Sequence, residues 1–115
     1  MTIDLNDLRT IKDEALKAFN SHISGIKDET GLEFNMETGK LESAAIQLYG
    51  LIVLMTRKES DIDVVRSAWD MMVKICDEYA KRISDLCKDH PFCSSSHDKI
   101  LDLRNKCVRL RDLHS

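Results

Sequence analysis

"SDIDVVRSAWDMMVKICDEYAKRISDLCKDHP", residues 60–91, decides the fold. Within it Ile62, Val65, Trp69, Met72, Cys76, Tyr79, Ile83 and Leu86 recur at alternating spacings of three and four. That is a sustained a/d heptad, the pattern of a helix with one buried seam. Ser60 is placed to cap its start, with Asp63 as the acidic member of a variant capping box. His90 is the next heptad position, and Pro91 ends the helix because the residue before a proline is pushed out of the α region. A single helix of this kind cannot hide its own seam. The rest of the chain must supply apolar faces to cover it.

Three further helical stretches do so. Downstream, Ile100, Leu103, Cys107 and Leu110 form a stripe after Ser94, Ser95 and Ser96, any of which can cap a helix. Upstream, residues 41–57 carry Leu41, Ala44, Ala45, Leu48, Leu51, Ile52 and Met55 on one face. A side stripe of Ile46, Tyr49 and Val53, with Leu54 elsewhere, makes this helix apolar nearly all round. Near the start, residues 5–26 place Leu5, Leu8, Ile11, Ala15, Leu16, Phe19, Ile23 and Ile26 on one broad face, with Lys12 and His22. Asp4 is its N-cap and Asp7 lies in the first turn. The intervening "KDETGLEFNMETGK", residues 27–40, holds two Thr-Gly pairs that break the period. It reads as an ordered loop whose Leu32, Phe34 and Met36 cap one end of the core. The expected fold is all-α, an antiparallel four-helix bundle forming one domain over residues 1–115.

Composition agrees with this. The 115 residues are 43% hydrophobic and 32% charged, too apolar for a disordered chain. One proline and four glycines allow few turns, so the elements must be few and long. The net charge of −3 gives no bulk attraction for nucleic acid. The longest apolar run, "AAIQLYGLIVLM" (residues 44–55), is too short to span a bilayer. The N-terminus lacks the basic and apolar regions of a signal peptide. The expected compartment is the cytoplasm, with the four cysteines reduced.

Cys87, His90, Cys93 and His97, in "CKDHPFCSSSH", have the spacing C-x2-H-x2-C-x3-H. These are zinc-ligand types, and a zinc-binding or redox-sensing corner is the alternative function. The simpler account separates them: Cys87 and His90 continue a core stripe, Pro91 stops a helix and the serines cap the next. Cysteine is at home in cores, as Cys76 and Cys107 illustrate. No cofactor is therefore expected.

Arg109 and His114, in "RLRDLH", form an R-x4-H pattern similar to the short motif of the HEPN ribonucleases. That resemblance implies a helical bundle that cleaves RNA as a dimer, with Arg109 and His114 as the working pair. In a continuous helix, residues five apart point about 140° away from one another. The basic run "RNKCVRLR" has no aromatic residue on which a base could stack. No phosphate loop, nucleophile elbow or H-E-x-x-H occurs, and no catalytic residues are assigned.

What remains is the apolar circumference of the second helix. A bundle helix hides about half its surface, and surplus apolar surface calls for a partner. The expectation is a non-catalytic interaction module (a regulator, adaptor or inhibitor), most simply a homodimer. It would bind through Ile46, Tyr49, Val53 and Leu54 to a protein or to its own copy, and not to a membrane or a nucleic acid.

Overall fold

The computed structural model describes residues 4–27, 29–88 and 95–113. These form four helices and, among the described residues, no strand: α1 (Leu5–Ile23), α2 (Leu32–Arg57), α3 (Ile62–Cys87) and α4 (Ser95–Leu113). They pack as a helical bundle around one hydrophobic core.

α1 starts as its sequence dictates. The Asp4 carboxylate accepts from the Asp7 backbone N–H at 2.9 Å, and Asp7 reaches back to the Asp4 N–H. This reciprocal box satisfies two donors that a bare helix end leaves open. α1 ends at Ile23, where Gly25 and Ile26 donate to the carbonyls of His22 and Ile23 in a tightening turn.

The loop expected over residues 27–40 is corrected. α2 begins at Leu32, so the last nine residues of that stretch, 32–40, belong to the helix. The break is at the first Thr-Gly pair alone. Gly31 adopts the left-handed region at φ 78°, which only glycine enters without strain. Its carbonyl accepts from Asn35 to close the first turn. The second pair, Thr38-Gly39, sits inside the helix. Thr38 is fully buried, and its hydroxyl donates to the Asn35 carbonyl at 3.0 Å. Of the three residues expected to cap the core, Phe34 is buried, whereas Leu32 and Met36 are exposed.

α3 is the central support. Val65, Trp69, Met72, Cys76, Tyr79 and Ile83 are buried as the heptad requires. Its ends differ from expectation. Ile62 is exposed and Leu86 only half-buried. The cap is Asp61, one residue later than expected. Its carboxylate accepts from the Asp63 N–H at 3.0 Å, so Ser60 lies outside the helix.

α3 and α4 share the most extensive contact. Ile100 and Cys107 of α4 are fully buried, and Arg104 and Arg111 pair across to Asp77 and Asp70. α1 rests mainly on α2 and meets α3 only narrowly, while α2 touches all three other helices. No helix among the described residues is long and apolar enough to cross a membrane.

Candidate functional site

α2 carries two interleaved stripes. Phe34, Thr38, Leu41, Ala45, Leu48 and Ile52 are all buried, at spacings of four and three. Two residues before each lies Leu32, Met36, Gly39, Ser43, Ile46 and Gly50 in the same rhythm. Two residues turn a helix by about 200°, so the second stripe runs along the opposite side. It is wet: Leu32 is 64% exposed, Met36 58% and Ile46 53%. Leu54, four residues beyond Gly50, is 57% exposed. Gly39 and Gly50 face open space, with nothing within 4 Å of where a Cβ would stand. The result is a ridge of large apolar side chains separated by small ones.

The four residues expected to bind a partner divide between two environments. Ile46 and Leu54 are on the outward side. Tyr49 and Val53 are half-buried and pack against the core. The Tyr49 ring meets Trp69 with centroids 5.5 Å apart, and the Lys106 ammonium sits 5.1 Å from its centroid. Tyr49 therefore ties α2 to α3 and α4. Leu32 and Met36, which extend the wet stripe, were hidden by the expected loop. The signal for them was the unbroken 4-3 spacing back from Ile46.

At the N-terminal end of α2, Glu37 accepts from Lys40 at 2.8 Å and lies 3.3 Å from the His22 ring. The hydrogen bond from Lys40, with help from His22, holds the Glu37 carboxyl below its ordinary range. His22 is corrected from the apolar face to the surface, with its side chain 59% exposed.

Of the Cys/His corner, His90 and Cys93 lie outside the described residues. Cys87 is half-buried at the end of α3, and the His97 ring lies 3.4 Å from the neighbouring Asp98 carboxylate. Among the described residues no group of three or more metal-ligand side chains comes together. Cys76 and Cys107 are fully buried thiols. Burial pushes Cys76 up to about 12 and Cys107 up to about 11, which leaves them protonated and unreactive. Arg109 is exposed on α4, and His114 lies outside the described residues. Arg104 and Arg111 are committed to α3 carboxylates, which removes them from any solvent-facing basic strip.

Comparison with protein-family models, with curated proteins and with solved structures returned no match.

Proposed function

We propose that this chain is a non-catalytic interaction module of one domain that works through the outward side of α2, and that its first partner is a second copy of itself. The observation that carries this reading is the wet ridge of Leu32, Met36, Ile46 and Leu54, with Gly39, Ser43 and Gly50 between them. Burying an Ile or Leu side chain stabilises by roughly 1.5–3 kcal/mol, so four half-exposed ones on a single ridge leave a large gain unused.

The bundle is read as antiparallel. Asp70 and Asp77 rise along α3 while their partners Arg111 and Arg104 fall along α4. His22 with Glu37, and Tyr49 with Trp69, support the same hairpin sense for the other neighbours. In this arrangement α2 lies between neighbours on its inner side and has its ridge free. The compartment that suits reduced Cys76 and Cys107 is the cytoplasm.

A second copy fits because the ridge is self-complementary. Two α2 helices crossing head to tail about a two-fold axis at residues 44–45 set each Ile46 against Ser43 of the partner subunit and each Gly39 against Gly50 of the partner subunit. Ile46 then meets the small Ser43 and the glycines face each other, so the backbones can approach closely. The 26 residues of α2 span about 39 Å, and a strip about 10 Å wide along them covers roughly 400 Å2. A stable complex takes about 800 Å2 from each partner, so the dimer is weak and exchanging unless flanking helices add to it.

The test is sedimentation equilibrium over a wide concentration range on wild type, Ile46→Lys and Leu54→Lys. Both variants change exposed residues, so helical content and melting temperature should hold. Wild type should associate, and the variants should remain monomeric. A wild type that stays monomeric at the highest concentrations would remove the self-association reading.

A further inference from the structure

α4 borders one side of the α2 ridge. Its Lys106 ammonium lies 5.1 Å from the centroid of the Tyr49 ring. Tyr49 comes three residues after Ile46 and Glu42 four before it. Three steps forward and four steps back turn a helix to the same side, so Glu42 and Tyr49 share a flank of α2. On the opposite side Lys40 pairs with Glu37, which also meets His22 of α1.

Glu42 and Lys106 have opposite charges, yet neither enters an ion pair among the described residues. Glu42 is half-buried and Lys106 exposed. Distance along the helix keeps them apart. Lys106 stands level with Tyr49, seven residues from Glu42, and seven residues of helix rise about 10 Å. A head-to-tail copy closes this gap. A two-fold axis at residues 44–45 sets Lys40 of the partner subunit opposite Tyr49. Glu42 of the partner subunit is then only two residues away, about 3 Å along the axis. The same axis brings each flank of α2 against the identical flank of the other copy.

From this we infer that Glu42 and Lys106 pair between two copies of the chain, once on each side of the two-fold axis, and that α4 thereby joins the contact. The inference rests on self-association through the α2 ridge and selects one geometry for it. A parallel pair of α2 helices would set this flank against the α1 side and leave Lys106 seven residues from Glu42. The surrounding charges suit a second copy. Lys99, Asp102 and Arg109 are exposed on α4 beside Lys106. With Glu42 that makes three cations and two carboxylates. A flank so close to neutral can meet itself, and it exerts little pull on a strongly charged partner. Contact through α4 also adds area to the narrow α2 strip.

Sedimentation equilibrium at low salt and high protein concentration tests this on wild type, Glu42→Lys, Lys106→Glu and an equimolar mixture of the two variants. Each variant alone sets like charges together at both sites and should associate about tenfold more weakly than wild type. In the mixture every reversed charge meets its opposite in the other chain, so a mixed dimer should form about as tightly as the wild-type dimer. Salt well above the physiological range should narrow these differences. Lys106→Glu also takes the cation from the Tyr49 ring, so Lys106→Gln keeps the test open should that variant not fold. Lys106→Gln should weaken association about threefold, and adding Glu42→Gln to it should weaken it no further. A wild type that stays monomeric removes the ridge contact and this pairing with it. A wild type that associates, with single variants that match it or a mixture as weak as its components, overturns the pairing alone and leaves the ridge contact standing.

Discussion

The double substitution Gly39→Ala/Gly50→Ala separates a glycine that serves the monomer from one that serves a contact. Both residues are inside α2, and a Cβ added at either meets nothing within 4 Å. Glycine in a helix interior is less favourable than alanine by roughly 0.5–1 kcal/mol, so the two exchanges should stabilise the isolated chain by about 1–2 kcal/mol. For 115 residues the unfolding entropy is about 0.24 kcal/mol/K, and the melting temperature should rise by about 4–8 °C. The same methyl groups would stand where two α2 helices approach closely. Overpacking a contact costs about 1–3 kcal/mol, so association should weaken by about tenfold. The assays are thermal melting in dilute solution and sedimentation at high concentration. Opposite signs, a firmer fold with a weaker dimer, are the expected result. A lower melting temperature would refute the openness of the two positions. An unchanged dimer affinity would refute close packing through the glycines.

Ile83→Ala should cost about 2–5 kcal/mol as a large-to-small change at a fully buried site, and Leu86→Ala distinctly less because Leu86 is half-buried; urea unfolding compares them. Asp70 is held below its ordinary value of 3.8 by hydrogen bonds from Lys74 and Arg111. A depressed acid binds its proton more weakly when folded, so its contribution is present above pH 3.8 and is lost as the pH falls through the lower folded value. Urea unfolding at neutral and strongly acidic pH should show that loss in wild type and less of it in Asp70→Asn. Cys76 and Cys107 should resist a thiol reagent in the folded protein at mildly alkaline pH and react once it is unfolded, as mapped by mass spectrometry.

α1 and α3 were legible in the sequence because each has one dominant stripe and a carboxylate at its start. The capping residue of α3 was missed by one position, since Ser60 and Asp61 are both good caps and only geometry chooses between them. The first third of α2 was missed for a different reason. Thr30-Gly31 and Thr38-Gly39 are identical pairs, yet one ends a turn and the other lies within a helix. Local chemistry does not separate them. The register does: Phe34 and Thr38 continue the 4-3 spacing back from Leu41 into the core. Burying Phe34 outweighs the cost of about 1 kcal/mol for Gly39 in a helix. A polar residue at a seam position masked the pattern, and Thr38 is tolerated there because its hydroxyl bonds back to the Asn35 carbonyl.

The same two stripes explain why α2 reads as apolar all round while its sides differ. The inner one is spent on α1, α3 and α4, and Tyr49 extends it sideways through Trp69 and Lys106. That half of the helix has a complete account within the chain. The outer half has none among the described residues. Leu32, Met36, Ile46 and Leu54 gain nothing from water, and Gly39 and Gly50 weaken a helix without relieving any crowding. Surface glycines in the middle of a long helix usually give way to alanine unless something packs against them. The proposed contacting helix would account for both anomalies, because it would bury the large side chains and need the small ones. Solvent exposure of the face accounts for neither.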